Sequence, residues 1–280
     1  MMPKIMAKTG ETELPSLAHQ FNTALAMNSV HLSADDISRY SRQLLLDDID
    51  EEGQARLKQA YAVVIGLGGL GTLVARYLVG AGIGKVLLVD NDTVDKSNIH
   101  RQVLFNQEHI GQYKTKASYA QLRLVNPRPQ IELAEIKANS SNLPLLITGA
   151  QCVLDCSDNI TTRKAINAAC VNQRTALFIA AASQYSWQAI NLQLSEKNSG
   201  CYACLLAHTR VQEDCISQGI LGPVVGMAAC FQATQALLYM ANPKTNITWG
   251  QYHIMNVATA QFQSFSLPAF EHCEVCQCPL

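Results

Sequence analysis

Charged residues are scarce in this sequence, and neither sign prevails. Only 15% of the 280 residues are Asp, Glu, Lys or Arg, and 21 basic against 22 acidic side chains leave a formal net charge of −1 at pH 7. A nucleic-acid-binding face needs clustered Lys and Arg, which this balance does not provide. We therefore expect no nucleic-acid partner.

Internal repeats, low-complexity linkers and targeting signals are also missing. The N-terminal residues contain no continuous apolar core behind basic residues, so we expect no secretory signal. The longest apolar stretch, 223–241, starts at Pro223 and contains Gln232 and Gln235, which favours a buried core helix over a membrane span. We expect a cytoplasmic protein that contacts no membrane and keeps its thiols reduced.

The length and the apolar content set the domain organisation. With 48% hydrophobic residues, 280 residues suffice for one large α/β domain or two small ones. Residues 1–32 carry little pattern, although Leu17, Phe21 and Leu25 are spaced by four and allow one amphipathic helix. We predict an N-terminal extension over 1–32, either one helix or a loosely packed segment, and a single domain over 33–280.

The sequence YAVVIGLGGLG at 61–71 is typical of a nucleotide-binding turn. Tyr61–Ile65 is an uninterrupted apolar run that predicts a strand buried on both faces. A helix is expected next, because Leu73, Tyr77 and Ala81 recur at helical spacing. Between strand and helix lie Gly66, Gly68, Gly69 and Gly71, with G-x-G-x-x-G spacing. Glycines let the backbone approach a phosphate or ribose, and a helix N-terminus favours negative charge, so we predict a nucleotide role rather than a plain tight turn.

A carboxylate suited to a ribose follows about twenty residues after the glycine turn. The segment KVLLVDND predicts a second buried strand ending at Asp90, whose carboxylate can accept hydrogen bonds from ribose hydroxyls. Beyond it, where a dehydrogenase would turn into another helix, the chain supplies polar donors: Ser97, Asn98, Arg101, Gln102 and Lys114. The glycine turn and Asp90 alone also allow an NAD-dependent oxidoreductase. The extra donors and the lack of an obvious hydride-transfer constellation argue against that class.

The remaining pattern predicts an α/β fold with a Rossmann-like mixed sheet. CVLDCSDN at 152–159 predicts a third buried strand that ends in Asp155 and Asp158, at the edge of the sheet where ligands bind. From 188 onward the pattern alternates instead, as in antiparallel strands, at 188–194 and again at 251–265. We predict a parallel N-terminal half, antiparallel C-terminal strands, and helices on both faces.

Two C-x-x-C pairs lie far apart in the sequence, Cys201 with Cys204 and Cys273 with Cys276. Four thiolates from two such turns suit a tetrahedral zinc, which would tie the C-terminus to the body of the protein. A redox motif is the alternative, but it would lie at a helix N-terminus after a strand, and neither pair is predicted there. We favour structural zinc. Four further cysteines lie in apolar or small-residue segments and are predicted to be buried: Cys152, Cys156, Cys170 and Cys230.

In combination, these motifs resemble the ThiF/MoeB/HesA family, the bacterial relatives of the ubiquitin-activating enzymes. The resemblance rests on RYSRQ at 39–43, GLGGLG at 66–71, DNDTVDKSNIHRQ at 90–102, GQYK at 111–114, LDCSDN at 154–159 and both C-x-x-C pairs. It extends from Ile37 to Cys276. RYSRQLLLDDI and the GPVVG at 222–226 look most like the thiamine-pathway members of that family.

The resemblance implies ATP-dependent adenylation of the C-terminal glycine of a ubiquitin-like sulfur carrier, with release of pyrophosphate. A carboxylate is already an adequate nucleophile, so the reaction needs charge neutralisation and alignment of two anions rather than a general base. The glycine-turn backbone would hold the nucleotide, Asp90 the ribose, and Asp158 a Mg²⁺ ion, which prefers one or two carboxylates plus phosphate oxygens. The resemblance assigns Ser97, Asn98, Arg101 and Lys114 to the phosphates, and Ile99, His100 and Asn159 to the same nucleotide site.

Two further implications concern other molecules. Arg42 resembles the arginine that reaches the phosphates from the second subunit of a dimer, so we expect a homodimer. Cys215 matches a cysteine that can take part in sulfur transfer to the activated carrier, and an unreactive loop cysteine is the equal alternative. The expected catalytic set is therefore Arg42, Arg101, Lys114, Asp158 and Cys215. The expected partners are the carrier and a cysteine desulfurase or other sulfur donor, with the molybdopterin-pathway activity as the alternative function.

Overall fold

An eight-stranded mixed sheet forms the centre of the computed structural model, which describes residues 31–195, 200–208, 219–267 and 273–276. Its strands are β1 (Tyr61–Ile65), β2 (Lys85–Val89), β3 (Gln130–Ala134), β4 (Cys152–Asp155), β5 (Ala176–Ser183), β6 (Ser186–Leu192), β7 (Gln251–Asn256) and β8 (Gln261–Ser266). Their spatial order is β3-β2-β1-β4-β5-β6-β7-β8. Neighbours among β1 to β5 pair in parallel, and those from β5 to β8 pair antiparallel. The predicted fold class is confirmed.

Helices cover both faces of the sheet. They are α1 (Ala34–Tyr40), α2 (Asp50–Leu57), α3 (Gly69–Gly80), α4 (Lys114–Val125), α5 (Leu143–Leu146), α6 (Ile160–Gln173), α7 (Tyr202–His208) and α8 (Gly222–Ala241), with short 3-10 helices at Lys96–Asn98 and Gln107–His109. The first begins where the sequence has Ser33, whose hydroxyl accepts a hydrogen bond from the Asp36 amide at 3.1 Å. Such a cap satisfies one of the free N–H groups of the first turn.

Alternate residues of β1 pack into two hydrophobic cores, one on each face of the sheet. Val64 packs with Leu78 of α3 and with α8, whereas Val63 packs on the other face with Ile166 of α6. All four side chains are fully buried, and each burial stabilises the fold by about 1.5–3 kcal/mol. Because β1 is covered on both sides, its sequence is a continuous apolar run, as a central parallel strand requires.

Helix α8 corresponds to the apolar stretch that the sequence predicts to be a core helix. It is long and apolar enough to cross a membrane by length and composition, but half of that window is buried within the protein. Gln232 on its buried face donates its amide N–H to the carbonyls of Asp155 at 3.0 Å and Phe178 at 2.8 Å. The predicted core position is therefore the one observed.

Three local predictions differ from the structure. The run 251–265 is a hairpin of β7 and β8, because residues 257–260 turn the chain and Ala260 has a φ of 55°. The helix predicted from the spacing of Leu73, Tyr77 and Ala81 is observed as α3, but its core face contains Val74 and Leu78, and Tyr77 is 46% exposed. Cys230 is half-buried, whereas the other three single cysteines named above are buried.

The N-terminal prediction falls outside the described residues. Of residues 1–32 only His31 and Leu32 are described, and the helix expected around Leu17, Phe21 and Leu25 is not among them. The chain from Leu32 to Leu280 forms one compact unit. The boundary between extension and domain stays a prediction.

Candidate functional site

A cavity of about 680 Å³ opens at the carboxyl ends of β1, β2 and β4. The strand order reverses at β1, since β2 and β3 lie on one side of it and β4 and β5 on the other. A crevice at such a switch point is the usual ligand site of an open α/β sheet, because the connections leave in opposite directions there. The parallel register brings Ile65 opposite both Val89 and Asp155, so the residues that follow these three strands meet at the cavity.

The glycine turn forms one wall of this cavity. Gly66, Gly68 and Gly69 line it, whereas Gly71 does not. Gly66 has a φ of +93°, in the left-handed region that favours glycine. A Cβ at Gly71 would lie 1.8 Å from the carbonyl oxygen of Gly66, so this glycine lets α3 start tight against the turn. Of the four predicted nucleotide-binding glycines, three face the cavity and Gly71 serves the packing behind it.

Asp90 joins the glycine turn to the loop after β2. Its carboxylate accepts hydrogen bonds from the backbone amides of Leu67 at 2.6 Å and Asp92 at 2.7 Å. Burial raises the pKa of Asp90, although these two hydrogen bonds and the charge of Lys114 act in the opposite direction. Asp90 lines the cavity with oxygen lone pairs to spare, as a ribose-binding carboxylate requires.

Lys114 lies at the start of α4 and reaches back to the same loop. Its ammonium donates to the Asp92 carboxylate at 2.9 Å, and its backbone amide donates to the Asp92 carbonyl at 2.9 Å. The lysine is buried but lines the cavity. An ammonium has three N–H donors, so this single side-chain hydrogen bond leaves donors for a phosphate.

Five residues in and around the first 3-10 helix were predicted to bind the nucleotide, and only some of them line the cavity. Asn98 and Arg101 line the cavity, but Ser97, Ile99 and His100 lie outside its lining. Ser97 instead donates its hydroxyl to Asp95 at 2.6 Å. One guanidinium nitrogen of Arg101 donates to the Ser97 carbonyl at 2.9 Å and lies 2.8 Å from the His100 ring nitrogen. The structure thus brings only two of these five residues to the cavity.

Asp158 and Asn159 follow β4 and line the opposite wall. Asn159 accepts a hydrogen bond from the Thr162 amide at 2.8 Å and so caps α6. Asp158 is exposed to the cavity, and its carboxylate accepts only a long 3.4 Å hydrogen bond from the Asn159 amide among the described contacts. A carboxylate in this state is suited to a divalent cation that also contacts phosphate oxygens.

Two predicted catalytic residues are not among the residues described as lining this cavity. Arg42 is exposed and is not part of the described lining. Cys215 falls outside the described residues. The roles that the resemblance assigns to Arg42 and Cys215 therefore stay predictions.

The cavity also contains two residues that the sequence reasoning did not assign to the site. Asp92 supplies a second carboxylate beside Lys114, and the only sequence signal was its place two residues after Asp90. Gln102 is 3% exposed, and its side-chain oxygen has no hydrogen-bond partner within the described part of the chain. A buried amide oxygen of this kind costs stability unless something satisfies it, so it favours a ligand that donates a hydrogen bond in the cavity.

The cavity has the cations, backbone N–H groups and carboxylates that a nucleoside triphosphate site needs. Arg101 and Lys114 supply positive charge, and the N-terminus of α3 adds backbone N–H groups and its dipole. Asp90 and Asp158 add carboxylates, which are groups that can accept hydrogen bonds from a ribose or bind a cation. The cations and the carboxylates line one connected cavity, and their roles toward a nucleotide stay predictions.

The four predicted zinc ligands converge at a second place, between α7 and the C-terminal residues 273–276. The sulfur atoms of Cys201, Cys204, Cys273 and Cys276 all lie within 4.8 Å of one another. Cys201 and Cys273 are 3.7 Å apart and Cys204 and Cys276 3.6 Å apart, sulfur to sulfur. Four sulfurs around a zinc at about 2.3 Å would be separated by about 3.8 Å, so the cluster has the dimensions of a tetrahedral zinc site.

Two thiols of this cluster have shifted pKa values. Burial alone would raise the pKa of Cys273, but hydrogen bonds from the backbone of Cys276 and Val275 and from the Cys276 and Cys204 thiols lower it to about 7. Burial raises the pKa of Cys201 to about 11, although the Asn167 amide, which donates to the Cys201 sulfur at 3.4 Å, acts in the opposite direction. Donors around a sulfur favour its thiolate form, which is the form that binds metal.

The first C-x-x-C pair lies in a setting that the sequence did not predict. Cys201 immediately precedes α7, so the first C-x-x-C does lie at a helix N-terminus. Sequence periodicity over seven residues is too short to reveal such a helix. The convergence of a second pair onto the first, rather than the absence of a helix, is what favours a metal.

Comparisons with known proteins agree with this geometry. The sulfur carrier protein ThiS adenylyltransferase of Escherichia coli is 38% identical over 242 residues, which are 86% of this chain and 95% of that protein. The molybdopterin-synthase adenylyltransferase of Salmonella typhimurium is 34% identical over 249 residues, covering 88% of this chain and 98% of that protein. The crystal structure of E. coli MccB with MccA-N7isoASN has a similar fold, with a TM-score of 0.76 at 20% identity, over 93% of this chain and 81% of that chain. The ThiF family profile matches residues 40–278, and the chain belongs to the ThiF family.

Proposed function

We propose that this chain uses ATP to adenylate the C-terminal carboxylate of a ubiquitin-like sulfur carrier of the ThiS type. The observation that carries the proposal is the single cavity in which Arg101, Lys114, Asp90 and Asp158 meet the glycine turn. The 38% identity to a ThiS adenylyltransferase over nearly all of that protein supports the choice of substrate class.

The reaction follows from charge and alignment. The carrier's carboxylate attacks the α-phosphorus, the bond from that phosphorus to the α,β-bridging oxygen breaks, and pyrophosphate leaves with that electron pair. No proton needs to be removed, because the nucleophile is already ionised. Arg101 and Lys114 offset the repulsion between the two anions, and the first amides of α3 hold phosphate oxygens. Asp90 fixes the ribose and thereby the direction of attack.

We assign a Mg²⁺ ion to Asp158, whose exposed carboxylate faces the same cavity as the two cations. The ion would neutralise phosphate charge as pyrophosphate departs. Asp92 lies on the opposite wall, where its carboxylate accepts a hydrogen bond from Lys114 at 2.9 Å, so Asp158 is the carboxylate that we assign to the ion. Mg²⁺ prefers one or two carboxylates plus phosphate oxygens, and this donor set matches that preference.

We assign a structural zinc to the cluster of Cys201, Cys204, Cys273 and Cys276. The sulfur separations of 3.6 and 3.7 Å support a tetrahedral ion. The zinc would hold residues 273–276 against α7 and so attach the C-terminus to the body of the domain. Cluster thiols that remain reduced accord with a cytoplasmic location, which we propose for this protein.

The active form is proposed to be a homodimer in which the partner's Arg42 completes the phosphate site. Arg42 is exposed, and two apolar residues just after it are exposed as well, Leu45 at 75% and Leu46 at 53%. Exposed apolar side chains of this size next to a cation support a protein contact at this segment. Arg42→Ala should then lower turnover, and an inactive Arg42→Ala subunit should be complemented in mixed dimers by an Asp158→Asn subunit.

Cys215 is proposed to take part in sulfur transfer to the activated carrier for a thiamine pathway. A cysteine desulfurase or another donor of sulfane sulfur would leave a persulfide on Cys215. The outer sulfur of this persulfide would attack the carrier's acyl carbon and release AMP, which gives a disulfide between Cys215 and the carrier's thiocarboxylate. Cys215 precedes Gly219 by four residues in the sequence. Gly219 accepts a hydrogen bond from the Gln184 amide at 2.8 Å, and Ile220 lines the cavity. A covalent adduct between Cys215 and the carrier, found by mass spectrometry and lost in Cys215→Ser, would support this step. Its absence would leave Cys215 an unreactive loop cysteine.

Pyrophosphate exchange into ATP tests the proposed activity. Exchange should require a carrier that ends in Gly-Gly and should vanish when its last glycine is deleted, because the nucleophilic carboxylate is then misplaced. A ThiS-type and a molybdopterin-synthase-type carrier should be compared, since the 34% identity to a molybdopterin-synthase adenylyltransferase favours the latter as the second candidate. No exchange with either carrier, together with binding of NADH rather than ATP–Mg²⁺, would overturn the proposal in favour of an oxidoreductase.

A further inference from the structure

One helix touches both the nucleotide cavity and the cysteine cluster. Helix α6 begins after Asp158 and Asn159, which line the cavity. Two turns further on, Asn167 is 1% exposed and donates to the Cys201 sulfur. Between these ends lies Arg163, which is 7% exposed and also lines the cavity. The two sites are therefore connected by a rigid element rather than by a loop.

Arg163 fixes the turn that precedes Asp158. Its guanidinium donates to the Ser157 carbonyl at 2.6 Å and to the Ala180 carbonyl at 2.9 Å, so it joins the ends of β4 and β5. Ser157 is held from its other side by Asp155, which accepts from the Ser157 amide at 2.9 Å and from its hydroxyl at 2.6 Å. Charge-assisted hydrogen bonds inside a protein are strong, so the position of Asp158 depends on that of Arg163.

The cysteine cluster in turn holds Arg163. The guanidinium hydrogen-bonds the phenol of Tyr202, the residue directly after Cys201. The backbone amide of Tyr202 donates to the Asn167 side chain at 2.9 Å, and the same side chain donates to the Cys201 sulfur at 3.4 Å. Any ion that fixes Cys201 therefore fixes the backbone and the phenol of Tyr202 as well.

We infer that Arg163, Asn167 and Tyr202 are positioning residues that couple the metal-filled cysteine cluster to the nucleotide cavity, so that zinc binding and nucleotide binding strengthen each other. The inference rests on the proposed nucleotide and zinc sites. Zinc at the cluster orders Tyr202, Tyr202 orders Arg163, and Arg163 holds the Ser157–Asn159 turn in the shape that presents Asp158. Because coupling between two equilibria is reciprocal, ATP–Mg²⁺ must raise the affinity for zinc by the factor by which zinc raises the affinity for ATP–Mg²⁺.

Tyr202→Phe tests the coupling between the two sites, because it changes no cysteine, no charged side chain and no residue of helix α6. This variant should keep one zinc per chain, and its affinity for ATP–Mg²⁺, measured by calorimetry, should fall by about 2- to 30-fold. Tyr252→Phe is the matched control, because the Tyr252 phenol also interacts electrostatically with Arg163 and Tyr202 but donates its hydrogen bond to Gln188. The control should bind ATP–Mg²⁺ as the unaltered chain does.

Arg163→Lys provides a second variant if Tyr202→Phe loses zinc. Lysine keeps the positive charge opposite the buried Asp155, but its single nitrogen cannot contact the two carbonyls and the Tyr202 phenol together, as the several nitrogens of the guanidinium do. This variant should retain zinc and bind ATP–Mg²⁺ more weakly. Lys164→Ala, at an exposed position on the same helix, should change neither quantity.

Zinc affinity supplies the reciprocal measurement. Competition with a chromophoric chelator, with and without saturating ATP–Mg²⁺ and corrected by a protein-free blank, should show tighter zinc binding in the presence of nucleotide. In Tyr202→Phe and Arg163→Lys this difference should shrink. Unchanged ATP affinity in both variants, or zinc affinity that is indifferent to nucleotide, would overturn the inference. Neither measurement needs a carrier, so failure here is distinguishable from failure of carrier-dependent pyrophosphate exchange.

Discussion

Alanine substitutions at two glycines of the nucleotide turn should have different effects: Gly71→Ala should lower stability, and Gly68→Ala should lower the affinity for nucleotide. At Gly71 a Cβ would lie 1.8 Å from the Gly66 carbonyl oxygen, whereas at Gly68 the nearest atom to a new Cβ is the Gln102 amide nitrogen at 4.0 Å. The Gly66 carbonyl cannot rotate away, because it belongs to a turn fixed by the left-handed φ of that residue. Gly71→Ala must therefore push α3 away from β1.

The expected magnitudes follow from these contacts. Overpacking against backbone costs typically about 1–3 kcal/mol, and a fixed carbonyl puts Gly71→Ala at the upper end, so its Tm should fall by about 6–12 °C. Gly68 has a φ of −78°, which alanine adopts readily, so Gly68→Ala should unfold at the Tm of the unaltered chain or slightly higher. Its methyl group nevertheless occupies the wall that the phosphates approach, and ATP–Mg²⁺ affinity should fall by about tenfold or more.

Thermal unfolding and calorimetric titration with ATP–Mg²⁺ measure both quantities on each variant. Gly68→Ala should lose binding and keep stability, and Gly71→Ala should lose stability first and binding as a consequence. A Tm for Gly71→Ala within a degree of the unaltered chain would refute the packing role of this glycine. Normal ATP affinity in Gly68→Ala would refute the placement of the phosphates on this wall.

Three further results are expected. Lys114→Ala should raise the Kd for ATP–Mg²⁺ by about 10- to 150-fold in calorimetry, because charge-assisted hydrogen bonds are lost, and an unchanged Kd would count against the phosphate role. Cys276→Ser should release the metal, seen by elemental analysis, and lower the Tm, whereas Cys230→Ser, half-buried and outside the cluster, should do neither. Burial lowers the pKa of His253, so on acidification the unfolded chain binds a proton at this imidazole before the folded chain does, and the free energy of unfolding should decline as the pH falls below about 6.5. His253→Gln should make this decline less steep in thermal melts between about pH 7 and pH 5.5. An equally steep decline in the variant would contradict the prediction.

The sheet and the nucleotide turn were predictable because their sequence signals are local. A central parallel strand must be apolar throughout, and Tyr61–Ile65 and the run before Asp90 satisfy this requirement directly. The glycine spacing and the strand-end carboxylate then locate the cavity, since parallel strands bring their carboxyl ends to one edge. Convergence of the two C-x-x-C pairs was also predictable, because four thiols at such spacing have few other uses.

Features that depend on tertiary contacts were harder to predict. The β7–β8 hairpin turns on Ala260 in the left-handed region, where a sequence signal would require Gly or Asn. Asp92 and Gln102 belong to the cavity through the path of the loop after β2, which no periodicity reveals. Ser97 carries the donor expected of a phosphate ligand, yet its hydroxyl donates to Asp95, the residue that caps the same short helix.

The central claim is that a carrier's C-terminal carboxylate becomes joined to AMP in the cavity beside Lys114. Intact mass spectrometry of a Gly-Gly-ending ThiS-type carrier, incubated with the chain, ATP–Mg²⁺ and pyrophosphatase, tests it directly. We predict a carrier whose mass has risen by one adenylyl group, only when its last glycine is present and not with Arg101→Ala. A carrier of unchanged mass, from a preparation that binds ATP–Mg²⁺ normally, would contradict the claim.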